Sequence, residues 1–305
     1  MNDMSITARG YENAGDNLLV DRETGELVEG MTLNVPVGTT YYTPKMKEAS
    51  QERRLKKEEA EVKARKKRSD MPYVWIRSDT RYESLSDATL ARMIYLSMYC
   101  NYNKELKRTE REPITKDQLC GILGLSKTAT SSFWKETKGK YLDEAENGSL
   151  VLLSDSFFRG QLRRKTYIPY QRFYIKGVKK LYESVSSRKH KQLGYVFSML
   201  PYVNTEYNVI CWNPDETDFN KIAPMTVTEF CESIEYSRDH ASELRRIYGK
   251  ISFDVDGHKE PFCSFVFDGT DANNARIFVN PRVFYAGSDM DKVAVLGLFC
   301  KPKET

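Results

Sequence analysis

Two stretches of the chain carry hydroxyl and basic side chains at the density that a helix reading nucleic acid needs. The first holds Lys127, Thr128, Thr130, Ser131, Ser132, Lys135, Lys138 and Lys140. The second holds Arg238, His240, Ser242, Arg245, Arg246 and Lys250. Short polar side chains let a helix approach a major groove, while arginine and lysine reach guanine edges or phosphates. Each stretch opens on a serine, Ser126 or Ser237, and a capped helix start leaves backbone N–H groups that can seat a phosphate. The competing interpretation is a solvated face, since a surface helix must be polar somewhere. The second stretch is richer in arginine, so base contacts are expected there. Arg163 and Arg164, with Arg159 and Lys165, form a basic connector that could clamp a phosphate or merely be solvated.

Other chemistries find no residues to carry them. The three histidines, His190, His240 and His258, make no His-x-His pair, which a metal-dependent rolling-circle nickase requires. No G-x-x-x-x-G-K-[ST] or G-x-S-x-G is present, so phosphate-loop and nucleophile-elbow chemistry are not expected. Asp254-x-Asp256-Gly257 lacks the glutamate of a twelve-residue calcium loop and reads as a turn. Asp289-x-Asp291 is a weak acidic pair. No catalytic, metal-ligating or cofactor-binding residue is assigned, and a non-enzyme without a cofactor is expected.

The elements around the two stretches repeat. Pro113-Ile114-Thr115-x-Asp117-Gln118-Leu119-Cys120 returns as Pro224-Met225-Thr226-x-Thr228-Glu229-Phe230-Cys231. Tyr82–Ser86 returns as Tyr182–Ser186, and Ser97-Met98 as Ser198-Met199. Leu153-Ser154, Phe157-Phe158 and Gly160 return as Val279-Asn280, Phe284-Tyr285 and Gly287. Matches kept in order over this distance indicate a duplicated domain. In each copy an apolar helix comes first, Leu85–Tyr102 and Arg188–Tyr202. Next comes a capping box, with Thr115 and Gln118 or Thr226 and Glu229. It opens a short helix, which a turn joins to a second one. A helix pair joined in this way is a helix-turn-helix signature.

A hairpin pattern follows in each copy. In the second copy Ile251–Val255, the Asp256-Gly257 turn and Phe262–Phe267 are expected to form it, with Ile277–Val279 as a further strand. Tyr207–Trp212 reads as a strand without a counterpart in the first copy. The expected fold class is therefore α+β and helix-rich: two tandem winged-helix domains, residues 72–165 and 166–305. A flexible tail at 1–45 precedes them, with a hairpin pattern at Leu18–Val28, followed by a basic helical linker at 46–71.

Hydrophobic content of 40% and charged content of 30% fit a wet globular protein. The net charge of +4 is too small to identify a nucleic-acid partner, so its distribution matters more. Lys47–Arg68 holds ten basic and five acidic residues, densest at Lys63–Arg68, which reads either as a DNA-touching arm or as a charged linker. The six cysteines form no C-x-x-C pair, and free thiols are expected. No apolar run resembles a signal peptide or a membrane span, so a cytoplasmic protein with no membrane partner is expected.

The segment Ile277-Phe278-Val279-Asn280-Pro281-Arg282-Val283-Phe284-Tyr285-Ala286-Gly287 is similar to the closing segment of one group of plasmid replication initiators from Gram-positive bacteria. As architecture, residues 73–290 resemble plasmid and phage replication initiators with two winged helices joined by a basic connector. The resemblance implies a sequence-specific double-stranded-DNA-binding protein that binds repeated origin sites, recruits host replication proteins and does not cut. The basic N-terminal region is outside that pattern. Two alternatives stay open: a transcriptional regulator of the same fold, and a protein-interaction scaffold with non-specific DNA affinity. In tandem proteins one copy sometimes dimerises while the other reads DNA, so a homodimer also stays open.

Overall fold

The computed structural model of the chain describes residues 11–13, 19–21, 23–28, 49–56, 71–79, 81–82, 84–162, 168–267, 275–287, 289–294 and 296–299. The chain divides into two compact units, residues 1–69 and 70–305. In the first, β1 (Tyr11–Asn13), β2 (Leu19–Asp21) and β3 (Leu27–Val28) form an antiparallel sheet. The β2–β3 turn is closed by the Asp21 carboxylate, which accepts from the Glu23 and Thr24 N–H groups at 2.8 and 2.9 Å. Residues 49–56 form helix α1. The basic block Lys63–Arg68 lies outside the described residues.

The second unit mixes helices with small antiparallel sheets. Its first copy runs β4 (Tyr73–Arg77), α2 (Asp87–Ser97), β5 (Lys107–Thr109), β6 (Glu112–Pro113), α3 (Leu119–Leu123), α4 (Lys127–Thr137), β7 (Leu142–Glu144), β8 (Leu150–Leu152) and β9 (Phe157–Phe158). The second runs β10 (Tyr170–Tyr174), α5 (Ile175–Ser184), α6 (His190–Ser198), α7 (Val227–Ser233), α8 (Ala241–Tyr248), β11 (Ser252–Val255), β12 (His258–Pro261), β13 (Cys263–Val266), β14 (Arg276–Val279), β15 (Phe284–Tyr285) and α9 (Asp291–Ala294). The boundary expected at 165/166 falls in a connector whose residues 163–167 lie outside the described residues. No described helix is long and apolar enough to cross a membrane.

The copies meet in one sheet of strand order β15-β10-β4-β9. β4 and β10 pair antiparallel with Trp75 opposite Arg172 at the centre of the ladder. Trp75 pairs outward with Phe158, and Arg172 with Tyr285. The sheet is therefore symmetric about the Trp75–Arg172 pair. The Trp75 indole donates to the Gly160 carbonyl at 3.0 Å, and the Arg172 guanidinium donates to the matching Gly287 carbonyl and to Ala286. Behind the sheet, α2 packs on α6, its counterpart. Leu90, Met93 and Ile94 of α2 and Leu193, Val196 and Phe197 of α6 are buried in one shared core, each contributing roughly 1.5–3 kcal/mol. A Cβ at Gly194 would overlap the Asp87 backbone, so only glycine allows the helices to come this close.

Backbone bonds fix the remaining correspondences. Ile114 N–H donates to Leu106 and Leu106 N–H to Leu150. In the second copy Met225 donates to Ile210 and Ile210 to Ile277. Residues 209–211 thus form isolated bridges, and their counterpart in the first copy is the segment at Glu105–Leu106, where no strand was expected.

The expected hairpin in the second copy needs a similar correction. β11 pairs with β12 around Asp256-Gly257, while β13 pairs with β14. β13–β14 matches β7–β8, and β11–β12 is an insertion. Its turn is tied down by Lys176–Asp256 at 2.5 Å and Arg282–Asp256 at 3.3 Å. The repeat pattern aligns Tyr182 with Tyr82 and does not anticipate α5. Tyr182 instead lies in α5 and donates to Leu123 O at 2.9 Å, whereas Tyr82 precedes α2 and donates to Arg77 O. Ser86 and Ser186 do correspond, since Ser86 caps α2 and Ser186 caps the 3-10 turn that leads into α6, the counterpart of α2.

His190 is buried at the start of α6, under the Tyr182 ring at 4.2 Å, and its Nδ1 faces the Arg92 Nε at 3.5 Å. Burial, helped by the Arg92 charge, pulls its pKa from 6.5 to about 4. The unfolded chain therefore takes up the proton first. This stability is complete above about pH 6.5 and is lost as pH falls toward about 4, a difference of about 3 kcal/mol. Thermal unfolding followed across that window should fall steeply for the native chain and less steeply for His190→Gln, which keeps an acceptor for Arg92. Parallel curves would contradict the assignment.

Candidate nucleic-acid interface

α4 is held by its inner face. Leu119, Leu123, Phe133 and Trp134 are buried, Ser126 Oγ accepts from Ala129 N–H at 3.3 Å, and Gly124 turns the chain at φ 61°. Glu136, the one acidic residue of α4, faces inward. Its carboxylate accepts from the Ser86 N–H and hydroxyl at the start of α2 and from Thr89 Oγ1 at 2.6 Å. Lys127, Thr128, Ser131, Ser132, Lys135 and Lys138 are exposed and Thr130 is half-buried, so the outer face of α4 carries cations and hydroxyls without a carboxylate. The Thr130, Ser131 and Ser132 hydroxyls donate to carbonyls one turn back at 2.9, 3.0 and 3.2 Å. Their protons are committed, so outward they present acceptors, and attraction for phosphate falls to the lysines.

Lys116, exposed just before α3, extends this face. Its ammonium lies 5.1 Å from the Trp134 ring centroid, with Lys138 at 6.0 Å from the same ring. Sequence reasoning placed Lys116 only inside a capping box; its position two residues before Gln118 was the one available signal.

α8 occupies the equivalent place in the second copy. Its inner face buries Ala241, Leu244 and Tyr248, and the Tyr248 hydroxyl donates to Gln192 O of α6 at 2.8 Å. The Thr226–Glu229 capping box is formed on α7. Burial and charge pairing differ from α4. Arg238 is paired with Glu232 at 2.8 Å, and His240 lies 3.3 Å from Glu243. Arg245 is half-buried, its guanidinium 5.3 Å from the Phe267 ring centroid. Ser242, Arg246 and Lys250 are exposed, as are Asp239 and Glu243. The helix richer in arginine therefore has the more mixed charge.

The connector residues Arg163, Arg164 and Lys165 lie outside the described residues. Arg159 is described, with its guanidinium 5.0 Å from the Tyr102 ring centroid. Cys120 and Cys231 sit at the same point of the repeated helix, and the five described cysteines are unpaired. Among the described residues no group of three or more His, Cys, Asp or Glu side chains could hold a metal ion. Compared with protein-family models, curated proteins and solved structures, the chain shows no match.

The two turns before α4 and α8 share their geometry but not their residue. Leu125 N–H donates to Cys120 O and Tyr236 N–H to Cys231 O. The left-handed position is Gly124 in one copy and Glu235, at φ 55°, in the other. A side chain pays about 1–2 kcal/mol there, and glycine returns part of that as backbone entropy. Glu235→Gly is expected to stabilise by about 0.5–1 kcal/mol and Gly124→Ala to destabilise by about 1 kcal/mol, both read as shifts in thermal midpoint. A destabilised Glu235→Gly would contradict this.

Proposed function

We propose that residues 70–305 form a double-stranded-DNA-binding unit of two winged helices, with α4 as the principal DNA-contacting helix and α8 as its partner. The observation that carries this reading is the outer face of α4: lysines and short hydroxyl side chains, with Glu136 turned inward onto α2. A face of this kind attracts phosphates and lets backbone and bases approach. Because the sheet is symmetric about Trp75 and Arg172, α4 and α8 stand in equivalent positions, an arrangement suited to successive major-groove segments. The physiological role that fits best is initiation of plasmid or phage replication in the cytoplasm, at repeated origin sites and with host replication proteins. A transcriptional regulator would need the same contacts.

The mixed charge of α8 and the exposed Phe267 favour a second use of that copy, in protein contact such as a homodimer. Lys127→Ala, Lys135→Ala and Lys138→Ala should each weaken binding across duplex sequences. Each should also lower the slope of log affinity against log salt by about 1, measured by fluorescence anisotropy. Unchanged slopes in all three would remove α4 from the interface.

A further inference from the structure

The two copies diverge most in the segment between the first helix and the helix pair. In the first copy Lys107–Pro113 is a short β5–β6 hairpin with three basic and two acidic residues. The same interval in the second copy, between Ile210 and Met225, is twice as long and carries Trp212, Asp215, Glu216, Asp218, Phe219 and Lys221. Lys221 is paired with Asp218 at 3.4 Å.

This loop is ordered. Buried Asn204 donates to the Pro214 and Glu216 carbonyls at 3.1 and 2.8 Å. Asn213 donates to Lys221 O at 2.9 Å and accepts from Ala223 N–H at 2.7 Å. The Trp212 side chain is fixed as well. Its ring packs edge-on against Tyr202 at 5.9 Å, itself under the Arg81 guanidinium at 5.2 Å. The Glu229 carboxylate is held low by the Thr226 N–H and hydroxyl and by the Trp212 indole N–H. Yet Trp212 remains 51% exposed and Phe219, packed on Tyr207 at 5.0 Å, 41% exposed. Rigid, exposed aromatic side chains are what interface hot spots are made of.

We propose that the 212–223 loop docks a lysine- and arginine-bearing peptide segment of a protein partner. The loop's own charge selects that partner. Asp215, Glu216 and Asp218 outnumber Lys221 and repel a phosphate backbone, while a guanidinium or ammonium gains both the carboxylates and the Trp212 ring face. The loop shares no residue with the basic face of α4, so the proposal does not rest on DNA binding.

The test titrates the full chain with a fluorescein-labelled, end-capped hexapeptide of alternating lysine and arginine, followed by anisotropy. Duplex affinity is measured in parallel. One-to-one binding is expected, weakened about tenfold by Trp212→Ala and by Phe219→Ala and less by Asp215→Asn. Trp212→Phe should retain most of it, and duplex affinity should not change. Equal peptide binding by Trp212→Ala and Phe219→Ala, with folded thermal transitions, would overturn the proposal. So would preference of the loop for a single-stranded oligonucleotide, or conversion of a native dimer to monomer by Trp212→Ala, which would make a second copy the occupant.

Discussion

The antiparallel pairing of β4 with β10 is the constraint on which the rest of residues 70–305 depends. It brings the starts of the two copies together, fixes the Trp75–Arg172 pair at the centre and leaves β9 and β15 to close the sheet from either side. With that ladder set, α2 and α6 must lie against each other, and Gly194 allows the contact. The helix pairs are then carried as rigid attachments. α4 is tied through Glu136 to the start of α2, and α8 through Tyr248 to α6. The core joins both copies in one buried cluster.

Much of this was legible in the repeat. The Thr115/Thr226 capping boxes, the helix pairs and the Phe157/Phe284 correspondence all appear as structure. Failure came where local likeness was unsupported by backbone bonding. Tyr82–Ser86 and Tyr182–Ser186 share letters, but one precedes a helix and the other ends α5, whose apolar positions Val178, Leu181 and Tyr182 were visible at helical spacing. The Asp256-Gly257 hairpin was recognised, but not that it is an insertion pinned by Lys176 and Arg282, since ion pairs across 80 and 26 residues leave no local trace. Asn280, central to the segment that resembles plasmid initiators, is fully buried and bonded to Glu260 and Pro261. In this chain Asn280 has a structural role.

Charge was the property least readable from composition. Counting arginines favours the second copy, yet what a partner meets depends on where the carboxylates point. Glu136 is withdrawn beneath α4, whereas Glu232 and Glu243 stand beside Arg238 and His240. The two helices occupy equivalent places in the repeat, but one presents cations and hydroxyls without a carboxylate and the other a mixed face. The 212–223 loop extends the same divergence, with aromatic and acidic side chains where the first copy has a basic hairpin.

The most direct test of the central claim is selection from a random duplex pool at physiological salt, followed by sequencing of the retained DNA. Specific recognition by both copies should give an enriched motif with two half-sites about one helical turn apart, one contributed by each copy. Recurrence of that motif beside the protein's own gene would mark an initiator. A pool without enrichment, bound only at low salt, would contradict specific recognition and leave a scaffold with non-specific affinity.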